Sequence, residues 1–501
     1  MKLIIGGSLF FSILQSILLW NKAPGISVVL FVVPLILYFV FFLNKNGKII
    51  NKKGLVWSIP IIALSFTYFI FNNELFQFLN AVAICMLWLI MCISVTKTDL
   101  KLKELITNMF SLIAGAFEHI ETAMRGIKDV IKQEDGEKSK KSRTLIKALI
   151  ITVPVAIVVV FLLASADSIF SNLFSGIGDA LDKLIGNESI PETLARIILI
   201  IMIFAYMAGF MHNIAGRKTE ENIGEVDKKR KNLDAVTIGM MFIILDIVYL
   251  IFCAIQVVYL FTKAGMPNGM TYADYARQGF FQLMIVTFIN FAILLWVYTK
   301  KSDNLNKFQT NFIKSMEVLM EICTQIIIVS AFYRMFLYEQ AYGYTYSRLF
   351  VYFILSVEFI FMMFVIAYTL GKKINLVKWG LIIGTTAYMV LNYINVDVVI
   401  AKNNIDRYFA NPEEEFDFYY LESHTGTDAI AEIKRLLDTN DEALARSVKF
   451  YLLHEQTNLK NDETWLEFNI SRVKARNNLK GIKVEVDNNE SDREKQFVIS
   501  Y

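Results

Sequence analysis

Three carboxylates stand where an apolar chain has least reason to place them. Asp246, Glu321 and Glu358 each lie inside a run of residues hydrophobic enough to cross a bilayer. A charge at the bilayer centre costs at least about 2.5–3.5 kcal/mol, so each acid needs a reason for being there. At a rise of about 1.5 Å per residue, Asp246 lies roughly 16 Å into its run, and Glu358 is at a similar depth entered from the other side. Glu317, Glu321 and Gln325 recur every fourth residue as one polar stripe, and Tyr388, Asn392 and Asn395 form another, with Asp397 near the boundary. Gln256 and Asn290 add further polar groups. Carboxylates and amides of this kind can line a pathway for protons or cations, which makes Asp246, Glu321, Glu358, Asn392 and Asn395 the candidate intramembrane site. The plainer alternative is structural, with interhelical hydrogen bonds and ion pairs holding a bundle together. Arg334 is a candidate ion-pair partner, but it lies roughly 20 Å along the axis from Glu321 and nearer in depth to Glu339.

Other chemistry has no foothold in the sequence. It contains no His-Glu-x-x-His zinc-protease motif, no Gly-x-Ser-x-Gly elbow and no glycine-rich phosphate loop. Asp246 and Glu358 as a hydrolytic pair would lack any surrounding motif. The histidines, His119, His212, His424 and His454, are scattered singly, and Cys85, Cys92, Cys253 and Cys323 all lie in apolar runs, where a thiol packs as a small hydrophobe. The expectation is therefore a protein that is not an enzyme and that needs neither metal nor cofactor.

The elements that carry these residues are membrane helices. Of the 501 residues, 55% are apolar and 14% aromatic, more than a soluble surface of this size tolerates. A bilayer core of about 30 Å needs roughly 20 apolar residues per crossing. Runs over residues 3–20, 25–43, 54–72, 75–95, 146–164, 192–212, 235–262, 277–299, 314–336, 346–370 and 379–400 meet that need, about eleven crossings. The first has a signal-peptide start at Lys2 but no small-residue cleavage site before Pro24, which makes it an anchor. The fold class expected is all-α: a polytopic transmembrane bundle over 1–400, a small helical domain over 401–480, and a disordered tail over 481–501.

Basic residues give the direction. Lys45 to Lys53, Lys97 to Arg143, Arg217 to Lys231, Lys300 to Lys307 and Lys372 to Lys378 fill alternate loops, while the others hold little beyond Lys22, Lys183 and Lys263. The positive-inside rule then puts the N-terminus in the cytoplasm and, after eleven crossings, the C-terminal domain outside. It also accounts for the basic loops without nucleic acid. Two amphipathic stretches, Leu105 to Ile127 and Ile169 to Leu184, read as surface helices. In the C-terminal region, Asp428, Asn440 and Asp462 read as helix N-caps before Ala429 to Leu437, Ala443 to His454 and Trp465 to Leu479. Leu436, Phe450, Leu452, Trp465, Phe468 and Val473 are the core expected there.

Four segments carry a family resemblance: Leu162 to Phe170, Tyr272 to Phe281, Arg334 to Arg348 and Asn395 to Tyr408. Over roughly residues 150–480 the chain resembles a bacterial family of multi-pass membrane proteins catalogued as domain of unknown function 4173, with a relative numbered 4153. That resemblance implies a bacterial cytoplasmic membrane and transfers no catalytic residue. All four segments fall on the outer side of the topology read above. There Asp274 and Arg277 can pair across one helical turn, and the tyrosines around Tyr338 suit an interfacial belt. A sharper reading gathers Asp274, Arg277, Arg334, Arg348 and Arg407 into an outer-surface site for an anionic lipid headgroup or polymer, because the guanidinium fork suits phosphate and carboxylate. The partners expected are thus the lipid bilayer and either another envelope protein or an anionic lipid. The leading function expected is an envelope scaffold or sensor that presents its extracytoplasmic helices, and the alternative is a secondary transporter or lipid translocator using the intramembrane acids. No internal repeat supports that alternative, although many transporters have one.

Overall fold

The computed structural model describes residues 2–49, 51–97, 102–121, 192–216, 234–261, 280–300, 306–413, 416–459 and 464–482. The described residues fold into helices and short 3-10 turns, with no strand among them. The helices are α1 (Lys2–Leu19), α2 (Ile26–Lys45), α3 (Ser58–Ile70), α4 (Glu74–Thr96), α5 (Leu102–Glu118), α6 (Glu192–Gly216), α7 (Ala235–Phe261) and α8 (Phe280–Lys300). They continue with α9 (Lys307–Tyr342), α10 (Tyr346–Thr369), α11 (Leu376–Tyr393), α12 (Val396–Ala410), α13 (Phe418–His424), α14 (Ile430–Ile433), α15 (Glu442–Asn458) and α16 (Ile470–Leu479).

Among the described residues eight helices are long and apolar enough to cross a membrane: α1, α2, the stretch Lys52–Ile70, α4, Arg196–Gly216 of α6, Ala235–Gln256 of α7, α9 and α10. The other expected crossings differ in kind. The apolar part of α8, Gln282–Tyr298, is shorter, and the run 146–164 lies outside the described residues. The last expected crossing is not one straight helix. It breaks into α11 and α12, bent by 55°, because Asn395 takes the left-handed backbone conformation at φ 58° and caps α12 through a bond from Val398 N. Asparagine tolerates that conformation better than most residues.

The chain divides into two compact units. The first holds residues 1–69, 78–221 and 463–468. In it α1 presents Ser8, Ser12 and Ser16, all buried at four-residue spacing; small residues of this kind let membrane helices approach closely. Arg196 on α6 donates from Nε to Ser16 Oγ at 2.6 Å. Of the amphipathic stretch Leu105 to Ile127, the part in α5 is helical and packs on α6, where a Cβ added to Gly209 would stand 2.0 Å from the Ala116 carbonyl oxygen, and residues 122–127 lie outside the described residues. The 464–468 segment binds the α1–α2 turn through Ala23 N to Glu467 Oε1 (2.9 Å) and Ile26 N to Phe468 O (3.1 Å).

The second unit holds residues 70–77, 222–462 and 469–501. Here α7, α8, α9 and α10 pack through Phe242, Leu294, Met320 and Met362 towards one end and Cys253, Leu283, Ile327 and Leu355 towards the other. Met240, Ile244, Ile247 and Ile251 of α7 face outward, which in a membrane is the lipid side. α9 runs for 36 residues, about 54 Å at the helical rise. α11 and α12 share a core with the C-terminal helices, from Leu391 and Ile400 through Leu421 and Ile433 to Leu452 and Leu479. Residue 401 therefore lies within a helix and within that core.

Several local expectations are corrected. Asp441 caps α15 in place of Asn440, and Asn469 caps α16. Thr464 and Glu467 form a capping box on the 3-10 turn between them. Asp428 lies inside a 3-10 turn and caps no helix of its own, and Asp462 falls outside the described residues. Leu436 and Leu452 are buried as expected, Val473 is half-buried, and Phe450, Trp465 and Phe468 are exposed. The stretch 169–184 and the tail beyond 482 lie outside the described residues.

Candidate functional site

The inward faces of α7 to α10 carry a ladder of polar groups, most of them on or against α9. The outward apolar stripe of α7 turns Asp246 inward, where it is 2% exposed. Both its carboxylate oxygens are buried without a hydrogen-bond partner among the described residues. Three residues further on, Tyr249 OH donates to Asn290 Oδ1 at 2.5 Å, and Asn290 Nδ2 donates to Thr324 Oγ1 at 2.9 Å. This layer ties α7, α8 and α9 together. Glu321, one turn from Thr324, accepts from Thr369 Oγ1 at 2.6 Å through Oε1, while its Oε2 is buried and unpartnered.

The Glu358 carboxyl meets α8. Thr287 Oγ1 lies 2.8 Å from Glu358 Oε2 and 2.7 Å from the Met284 carbonyl oxygen. A hydroxyl has one proton to donate. When Thr287 gives it to Met284, the contact with Glu358 is a hydrogen bond only if Glu358 carries a proton of its own. Glu358 Oε1 is buried and unpartnered. Towards the Tyr342 end, Gln256 Oε1 accepts from Ser330 Oγ (2.7 Å) and Arg334 Nη2 (3.1 Å), and Glu339 Oε2 accepts from Tyr352 OH (3.1 Å). From Glu321 to Glu339 the ladder extends about 27 Å along α9, close to the thickness of a bilayer core.

Asp246, Glu321 and Glu358 thus belong to one four-helix group. Asn392 and Asn395 are placed on other elements: Asn392 Nδ2 on α11 bonds its own helix at Tyr388 O (2.9 Å), and Asn395 caps α12. Of the five outer-surface candidates, Arg348 and Arg407 converge on one loop. Arg348 Nη1 donates to the Tyr342 and Gly343 carbonyls and lies over the Tyr338 ring at 4.4 Å, while Arg407 Nη2 donates to Ala341 O at 2.8 Å. Arg334 bonds Gln256 inside the bundle. Asp274 and Arg277 lie outside the described residues.

A second polar cluster forms where the membrane helices meet the C-terminal ones; its centre, Asp397, is placed near the boundary by the sequence but is not among the candidate site residues. Asp397, fully buried, accepts from Asn73 Nδ2 at 2.7 Å and from Gly426 N at 3.0 Å. Asn72 N donates to Asp428 Oδ2 at 3.0 Å and Tyr420 OH accepts from Tyr346 N at 2.8 Å. Burial pushes the Asp428 carboxyl above its ordinary range and the Tyr420 phenol up to about 12. The signal available for Asn72 and Asn73 was an amide pair between two apolar runs, which marks a turn.

The fold also brings two of the four histidines together, with the His119 and His212 rings 5.5 Å apart. Among the described residues no group of three or more His, Cys, Asp or Glu side chains is placed to hold a metal ion.

A family model described as Domain of unknown function (DUF4153) matches residues 58–436. Comparison with curated proteins and with solved structures gave no match. The match falls on the relative numbered 4153; the resemblance to 4173 is not shown.

Proposed function

We propose, for a chain that belongs to the DUF4153 family of unknown function, that the four-helix group of α7 to α10 moves protons across the membrane as part of a secondary transport cycle. The observation that carries this reading is Asp246, a carboxyl enclosed by apolar helices with neither oxygen hydrogen-bonded among the described residues. An ionised carboxylate left unpaired in such a place is costly, and protonation removes the cost. Glu358 and Glu321 each keep one unpartnered oxygen, and the Thr287 hydroxyl between Met284 and Glu358 can be a donor or an acceptor. These are exchangeable proton positions spread over the four helices α7 to α10.

The experiment is proton flux in proteoliposomes containing a pH-sensitive dye, driven by an imposed potential. Flux in the wild-type protein, abolished by Asp246→Asn and slowed by Glu358→Gln at equal protein incorporation, supports the reading. Flux that survives Asp246→Asn unchanged, or its absence in wild type under both pH and electrical gradients, sinks it.

A second reading, an envelope scaffold or sensor, is favoured by the large aromatics left exposed on the C-terminal helices, Tyr419 and Phe450. In it the N-terminus is cytoplasmic and the C-terminal helices are extracytoplasmic, in a bacterial cytoplasmic membrane. Replacing Tyr419 and Phe450 with serine then abolishes complementation of a deletion strain under envelope stress, while Asp246→Asn does not. The opposite pattern returns the assignment to transport.

A further inference from the structure

A groove outside the membrane ladder has a composition of its own. It lies between the end of α12, the segment that follows it and the start of α15, and encloses about 550 Å³. Three aromatic residues, Tyr408, Phe409 and Phe416, and two acids, Asp438 and Asp441, are among the residues that line it. Among the described residues no lysine or arginine lines it. The Tyr408 ring lies 4.7 Å from Phe416 and 5.6 Å from Phe409, and its hydroxyl is fixed by Thr439 Oγ1 at 2.7 Å. Arg435, on the 3-10 turn Lys434–Asp438, is held by Asp406 and Glu432 at 2.6 and 2.7 Å, and its guanidinium lies 5.9 Å from the Phe409 centroid.

We propose that this groove binds a quaternary ammonium group of the trimethylammonium kind. Aromatic faces attract cations through the ring quadrupole, and carboxylates beside them add to the attraction for positive charge. The choice among cations follows from hydrogen bonding. A primary ammonium needs three acceptors to replace its water, which the three rings do not supply, and Asp441 Oδ1 already accepts from Ala443 N and Leu444 N (2.9 and 3.1 Å). A trimethylammonium group has no N–H to satisfy and presents methyl groups to the rings. The same chemistry comes from a free solute such as choline or from a phosphocholine lipid headgroup.

The test uses the full chain purified in a maltoside detergent, which carries no choline group, with calorimetric titration. Choline and tetramethylammonium should bind saturably, and ammonium chloride at equal concentration should not displace them. Phe416→Leu keeps the bulk of the side chain and removes the quadrupole, so it should weaken binding about fivefold or more. Asp438→Asn should weaken it by a smaller factor and flatten its salt dependence. Phe409→Leu, at a more exposed ring, stands in if the Phe416 variant unfolds. Dihexanoylphosphocholine below its micellar concentration distinguishes the sources: tighter binding than choline assigns a lipid headgroup, and weaker binding assigns a free solute. Absence of saturable binding, equal affinity for ammonium, or unaltered affinity in both phenylalanine variants overturns the proposal.

Discussion

Asn73 and Asp397 are 324 positions apart in the chain and 2.7 Å apart in space. The amide donates to a carboxyl that is fully buried and whose other oxygen accepts from Gly426 N. A loop between two apolar helices, the bend at Asn395 and the C-terminal helices are held through this one side chain. Asn73→Ala leaves one buried carboxyl oxygen without its donor, and the cost of such a loss is about 1–3 kcal/mol. Thermal unfolding in detergent should show the midpoint fall by several degrees, and an unchanged midpoint would remove Asn73 from the load path.

Asp428 gives the same cluster a pH dependence of defined sign. Its carboxyl titrates above the ordinary value because it is buried, so the folded state holds the proton more tightly than the unfolded state. The stability this contributes is full below about pH 4, the unfolded value, and is lost as pH rises through the raised folded value. Unfolding midpoints measured from pH 4 to 8 should fall more steeply in wild type than in Asp428→Asn. Parallel curves would contradict the assignment.

The Tyr249–Asn290–Thr324 layer is a measurable coupling between three helices. Polar pairs in membrane bundles contribute about 0.6 kcal/mol on average and up to about 1.7. A double-mutant cycle with Asn290→Ala and Thr324→Val should return a coupling of that size, read from unfolding in a denaturing detergent. A coupling of zero would make the 2.9 Å contact incidental.

Gly343 ends α9 at φ 78°, and a Cβ there would stand 2.5 Å from Asn404 Oδ1, the atom that accepts from Tyr344 N at 2.7 Å. Gly343→Ala combines a left-handed penalty of about 1–2 kcal/mol with displacement of that amide. The variant should lose stability by at least that amount and more than Gly371→Ala, where nothing lies within 4 Å. Equal losses would show that the Asn404 contact does not matter.

How much of this the sequence carried depends on how local each signal is. The length of an apolar run is a local property, and the eight helices competent to span all coincide with expected crossings. The acids Asp246, Glu321 and Glu358 were conspicuous because a charge in such a run has no other use. The partners of Glu358 and Glu321, Thr287 and Thr369, were not, because hydroxyls are common in membrane helices and only helix register decides which ones meet. The break at Asn395 had a signal, an asparagine two residues before Asp397, but the apolar residues on either side continued a helical pattern and hid it. In the C-terminal region, adjacent cap-forming residues such as Asn440 and Asp441 made the register ambiguous by one. Phe450 and Trp465 read as core by size alone, and size does not fix the face of a helix.

The length of α9 has a mechanical consequence. A rod of about 54 Å exceeds a hydrocarbon layer of about 30 Å by about 24 Å, most of a second layer. Each degree of tilt about its midpoint swings either end by about 0.5 Å in opposite senses. The helix that carries Glu321 also ends at the loop where Arg348 and Arg407 bind carbonyl oxygens. It is a lever, and a few degrees of rocking at the polar ladder would move that loop by more than the tolerance of the hydrogen bonds that hold it.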